Sequence, residues 1–221
     1  MSTTIHALII SVVVLVFVFE YYKYHRSRVH LSLIRRGDID VFLREIDKDI
    51  DRYSLSDMSI NFLISKSAGL CYKGRFDDAI ELLCSFDVNK LIGINKSAYY
   101  NNMVSALLLS GKIDEANRLH AEQRECLEPD TKIQPLSLAM KSTQATLDFF
   151  NGNLAKSRDA LAELSSTRLL DVDKAQVFYF LGMIDLKENR VHQAHENFAK
   201  ARALGPATFV PGKIDEINLM P

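Results

Sequence analysis

The sequence predicts an all-α protein in which an N-terminal transmembrane helix continues into a stack of helix–turn–helix units. Three observations predict it. An almost unbroken apolar run opens the chain, a short turn motif recurs through the rest, and turn-forming residues are otherwise scarce. There are 9 Gly and 5 Pro in 221 residues, with no Ser/Gly/Pro-rich tract, which favours helices over many short strands. With 48% apolar and 25% charged residues the chain can bury a core, and its length suits one domain plus an anchor.

The first element is the apolar run. Ile5 to Phe19 reads IHALIISVVVLVFVF, interrupted only by His6 and Ser11. Extended to Tyr22 it forms a helix of about 27 Å at about 1.5 Å per residue, close to a hydrocarbon core. Tyr21, Tyr22 and Tyr24 then fall where an aromatic belt is expected. No Lys or Arg precedes the run and bulky residues (FVFEYYKYH) close it, which argues against a cleaved signal peptide. Residues 23–36 carry five basic residues, Lys23, Arg26, Arg28, Arg35 and Arg36, and no acid. This bias predicts an outside N-terminus and a cytoplasmic C-terminal domain, with a bacterial plasma membrane as the expected setting. The five residues are read as a membrane-surface face that touches phospholipid headgroups, extended by His25 and His30. The remainder, 37–221, has a net charge of −5, which argues against a nucleic-acid partner. Cys71, Cys84 and Cys126 show no paired spacing and are read as reduced thiols.

The second element is the repeat. A turn residue followed by x, apolar, x, x, small recurs as Gly74-Arg-Phe-Asp-Asp-Ala79, Gly111-Lys-Ile-Asp-Glu-Ala116, Gly152-Asn-Leu-Ala-Lys-Ser157 and Asn189-Arg-Val-His-Gln-Ala194. A diverged copy, Gly37-Asp-Ile-Asp-Val-Phe42, precedes them, and the intervals are 37, 37, 41 and 37 residues. Gly or Asn ends a first helix because it tolerates the left-handed conformation that closes one. The acidic residues that follow in three copies suit a helix N-terminus, by capping and by the macrodipole. The small Ala or Ser lets the second helix approach the first. The expected organisation is an anchor over 1–22, a basic juxtamembrane helix with a diverged first repeat over 23–59, repeats at about 60–93, 97–130, 138–171 and 175–208, and a tail over 207–221. One continuous helix from about Ile5 to about Arg36 is expected, because no Pro or Gly breaks it.

The last unit carries a resemblance. Phe178-x-x-Leu181-Gly182, Ala194-x-x-x-Phe198, Ala201 and Gly205-Pro206 together resemble the tetratricopeptide repeat (TPR), departing from it at Phe178 and Asp185. The resemblance covers 60–206 well and 23–59 loosely. It implies an α-solenoid whose first helices line a concave groove that binds a protein or peptide partner. On that alignment the groove positions include Ile64, Ala68 and Cys71, then Asn101, Ser105 and Leu108, then Ser142, Thr146 and Phe149, then Tyr179, Met183 and Leu186. The set favours an apolar helix or an extended segment over a charged chain terminus.

No Gly-rich phosphate loop, nucleophile elbow or H-E-x-x-H motif is present, so no catalytic residue, cofactor or metal is expected. His192 and His195, with Glu196, are read as a solvated helix face. The expected function is therefore that of a single-pass, membrane-anchored adapter. The competing reading places the repeats outside the membrane, as a chaperone-like assembly or quality-control factor.

Overall fold

The computed structural model describes Val14, Tyr21 and residues 24–53, 58–128 and 134–218. Among these the fold is all-α, with no strand. Residues 24–35 form α1. There follow α2 (Ile39–Arg52), α3 (Met58–Tyr72), α4 (Phe76–Cys84), α5 (Gly93–Leu109), α6 (Ile113–Glu122), α7 (Arg124–Leu127), α8 (Gln134–Phe150), α9 (Leu154–Ser165), α10 (Asp171–Lys187), α11 (Val191–Leu204) and α12 (Val210–Asn218). A short 3-10 turn, Val88–Lys90, precedes α5. The apolar run expected to span a membrane lies outside the described residues apart from Val14 and Tyr21, as does Lys23; no described helix is long and apolar enough to cross a bilayer.

The motif residues make the turns. Gly37, Gly74, Gly111 and Gly152 have φ of 76°, 75°, 85° and 80°, and Asn189, with φ of 59°, is the one non-glycine described in that region. Each turn carries the same pair of hydrogen bonds. At Gly74 they run from Gly74 N–H to Cys71 O (3.0 Å) and from Arg75 N–H to Leu70 O (2.9 Å). The equivalent pair recurs at Gly37, Gly111, Gly152 and Asn189, so all five are Schellman closures. The diverged first copy is thus geometrically the same as the others. The residue after each turn residue also opens the next helix, as when Arg75 O accepts from Ala79 N–H (3.1 Å). The expected side-chain capping is not made: Asp38, Arg75, Lys112, Asn153 and Arg190 stand at the caps without a side-chain cap bond. Asp40, Asp77 and Asp114 sit in the first turn, where the helix dipole alone favours them.

Tight turns make antiparallel hairpins, and the hairpins form two layers. The first helices are inner: α5 buries eight residues and α10 nine, whereas α6 buries only Ala116 and α11 only Ala194, Phe198 and Ala201. The small motif residues Ala79, Ala116, Ser157 and Ala194 are all fully buried between layers. Close approach is also set by Gly182, where a Cβ would meet the Phe198 ring at 2.6 Å. The long interval between Gly111 and Gly152 accommodates α7. Each hairpin packs on the next, so the apolar core runs along the stack in overlapping clusters.

The second hairpin meets the last. Phe209 N–H donates to Tyr72 O (2.8 Å), its ring stands edge-on to Phe76 (5.2 Å), and the Tyr72 hydroxyl donates to Asp173 Oδ1 (2.6 Å). These contacts tie the α3–α4 turn to α10 and to the segment before α12. The expected C-terminal tail is accordingly a helix whose Val210 and Ile214 are buried in the core.

Candidate functional site

Contact between these hairpins leaves a cleft of about 90 Å³ on the inner face of the stack, between the first helices of four hairpins. Tyr72, Ala68 and Cys71 come from α3, Asn101, Asn102 and Ser105 from α5, Ala139, Ser142 and Thr143 from α8, and Asp173 and Gln176 from α10. The first helices run parallel because each is followed by the same tight turn. Side chains at corresponding heights therefore converge.

The polar part of the lining is amide, hydroxyl and the Asp173 carboxyl, and Ala68, Cys71, Ala139 and Leu169 make the rest apolar. Asn102 Nδ2 donates to Ile64 O (3.0 Å) and to Ser67 Oγ (3.1 Å), which locks its carboxamide against α3. Asn101 is 5% exposed and its Oδ1 has no hydrogen-bond partner. A ligand N–H or O–H placed at this acceptor would make a hydrogen bond worth about 0.5–1.5 kcal/mol net. Burial pushes the Asp173 carboxyl up, against the hydrogen bonds it receives from the Tyr72 hydroxyl and the Leu170 backbone. Burial and the neighbouring Asp173 charge push the Tyr72 phenol well above its usual range, so it remains a donor. Burial holds the Cys71 thiol at about 12, which keeps it protonated at neutral pH. The cleft thus offers hydrogen-bonding groups beside one buried carboxyl, Asp173, which the Tyr72 hydroxyl engages.

The sequence-derived positions divide. Ala68, Cys71, Asn101, Ser105 and Ser142 line the cleft together. Ile64, Leu108, Thr146, Phe149 and Tyr179 are buried in interhelical packing, and Met183 and Leu186 are half-buried against the C-terminal core. Asn102, Thr143, Asp173 and Gln176 were not among the expected positions. Two of them neighbour expected residues, and the other two lie six and three residues before Tyr179, in the first half of α10.

The basic face also divides. Arg28 is exposed over the Tyr24 ring (5.7 Å), and Arg35 and Arg36 lie at the turn end of α1, with Arg36 paired to Asp38 (3.1 Å). Arg26 instead turns inward to Asp49 (2.7 Å) and Glu45 (3.2 Å). His30 is buried too, with Nε2 3.0 Å from Asp49 Oδ2, and burial lowers its pKa. Asp49 explains both departures: a fully buried carboxylate needs cationic or donor neighbours. Among the described residues no group of three or more His, Cys, Asp or Glu is arranged to hold a metal, and His192 faces Glu196 (3.5 Å).

No protein-family model, curated protein or solved structure matches this chain.

Proposed function

We propose that this chain is a single-pass membrane-anchored scaffold of TPR-like repeats that binds a protein or peptide partner in the inner cleft, at the cytoplasmic membrane face. The observation that carries the reading is Asn101, a buried carboxamide with an unfilled acceptor, set among amides and hydroxyls from four helices. The turn motif and two-layer packing support the repeat assignment, and the apolar run with its basic flank supports the anchor.

Cleft size narrows the partner. A helix with side chains is about 10–12 Å across, too wide for a cleft of about 90 Å³, which admits a side chain or a short stretch of backbone. An extended segment fits better, because its backbone N–H groups can reach Asn101 Oδ1 and its carbonyls the surrounding hydroxyls.

A photoreactive residue at Ser142, in the full chain in native membranes, tests this. Specific crosslinks to a partner segment are expected, and the additional substitution Ser105→Trp, which fills the cleft, should abolish them. Crosslinks that persist unchanged with Ser105→Trp would remove the cleft from the binding site. A reporter after Pro221 that is active only outside the cytoplasm would overturn the topology.

A further inference from the structure

The Schellman turns all lie on one edge of the stack, linked by Lys73–Asp40 (3.1 Å) and Lys112–Asp77 (2.7 Å). The other connections, and the start of α1, therefore lie on the opposite edge. On that edge the segment that enters α5 reads Lys90-Leu-Ile-Gly-Ile-Asn-Lys96, with Ile92 at the N-cap and Ile94 in the first turn of the helix. Ile92 is 82% exposed and Ile94 39% exposed, whereas Leu91 between them and the turn is buried beside Ile60 and Val88. The Asp87 carboxylate accepts from Asn89 N–H (3.0 Å) and caps the preceding turn. The isoleucines are thus held outward between a capped 3-10 turn and the first turn of α5.

Height and charge indicate what they meet. At about 1.5 Å per residue, Tyr24 stands about 20 Å above Gly37, and Gly93 stands about 27 Å above Gly111. The segment therefore projects at least as far as the exposed Tyr24, the aromatic residue expected at the membrane boundary. Lys90 and Lys96 flank the isoleucines, and neither has a carboxylate within ion-pair distance among the described residues. Apolar tips between lysines complement an anionic lipid surface.

We infer that the Ile92–Ile94 segment is a second membrane contact, inserted into the headgroup region of an anionic bilayer beside the N-terminal anchor. The inference rests on the membrane-anchored reading. Two attachments on one edge fix the rotation of the stack about the anchor, and so fix which way the cleft opens relative to the membrane.

The test uses the full chain in vesicles of phosphatidylcholine and phosphatidylglycerol. Cys84 and Cys126 are replaced by Ser; Cys71 is buried, with its thiol at about 12, and does not compete for label. An environment-sensitive fluorophore is placed at Ile92→Cys, at Ile94→Cys or, on the turn edge, at Lys112→Cys. The expected result is blue-shifted emission at 92 and 94, quenched by a lipid-chain nitroxide and protected from iodide, with iodide access at 112. Iodide access at all three sites in protein that floats with the vesicles would overturn the inference and leave the anchor standing. Shielding at 92 and 94 without nitroxide quenching would assign the segment to a protein partner or a second copy, which also overturns it. A chain that fails to float would overturn the anchored reading and this inference together.

Discussion

The first three turns and the last two share a backbone but solve the same position differently. Counting four residues back from the turn residue reaches the carbonyl that accepts the Schellman hydrogen bond. In the first three turns it belongs to Leu33, Leu70 or Leu107, and in the last two to Asp148 or Asp185; all five are buried. The two aspartates replace apolar packing with hydrogen bonds. Asp148 receives Gln144 (3.3 Å), Asn153 (3.4 Å) and Lys156 (3.0 Å). Asp185 receives Arg158 (2.9 Å), Arg190 (3.0 Å) and Asn197 (2.7 Å). Asn153 and Arg190 stand just after their turn residues, so the contact that ordinarily closes this motif through apolar groups is made here through charge. One closure geometry therefore tolerates either chemistry, provided the polar version brings its own partners.

The sharpest way to break the comparison is to exchange residues without their partners. Leu107→Asp places a carboxylate where Lys112 is the nearest counterpart in register, and Lys112 is engaged with Asp77. Burying that charge is expected to destabilise the protein by several kcal/mol, beyond the about 2–5 kcal/mol of a cavity-forming Leu→Ala change. Asp185→Ala removes one of the two carboxylates that hold Arg158 and Arg190, Glu188 remaining with both, and takes the acceptor from Asn197, so a loss of about 1–3 kcal/mol is expected. The partial exposure of both arginines places it at the lower end. Urea denaturation of the full chain in mild detergent measures both. Equal, small effects at the two positions would mean that turn chemistry is interchangeable after all.

Glycine substitutions separate backbone strain from packing. Gly111 has open space around a would-be Cβ, so Gly111→Ala should cost only the left-handed strain, about 1–2 kcal/mol. At Gly74 the new Cβ would also lie 2.9 Å from Phe209 Cβ, in the contact between the second hairpin and the last. Gly74→Ala is therefore expected to cost more than Gly111→Ala in the same urea titration, and equal midpoints would deny that this contact stabilises the fold.

These particulars explain what the sequence made legible. A position that needs positive φ accepts few residues, so the five turns stood out at Gly37, Gly74, Gly111, Gly152 and Asn189. Small residues at Ala79, Ala116, Ser157 and Ala194 stood out for an equally strict reason, the close approach of two helices. The cleft was only half legible. An inner helix is buried on several sides, so its periodicity does not say which polar residue faces the cleft and which apolar one faces a neighbour; Leu108 and Phe149 were placed on the wrong side for that reason. Asp173 was invisible because its partner Tyr72 lies 101 residues away. The burial of His30 had the same cause, since it follows from Asp49 on the next helix.

Two histidines extend the comparison to pH. Burial lowers the pKa of His30, opposed by Asp49 and by the more distant Glu45 and reinforced by Arg26; burial also lowers that of His120, opposed by Asp148 and Gln144. Each group binds its proton more readily in the unfolded chain. Their contribution is therefore full above the ordinary value of 6.5 and is lost as pH falls from there through the lowered native pKa. The urea midpoint should drop between pH 7.5 and pH 5.5, and His30→Gln and His120→Gln should each flatten that dependence. A dependence unchanged in both variants would place its origin elsewhere.

The smallest effect belongs to the turn that departs from glycine. Asn189 holds φ of 59°, which Asn tolerates better than other side chains but not as freely as Gly. Asn189→Gly relieves that strain but adds freedom to the unfolded chain, and no hydrogen bond from the Asn189 side chain offsets either term among the described contacts. A change within about 0.5 kcal/mol is expected, in contrast to the loss at Gly111→Ala. The comparison is informative because Asn189 and Asp185 belong to the same turn. If Asn189→Gly is silent while Asp185→Ala is not, closure there depends on the buried carboxylate and its three partners rather than on the turn residue. A loss above about 1 kcal/mol at Asn189→Gly would reverse that assignment and give the Asn189 side chain a structural role of its own.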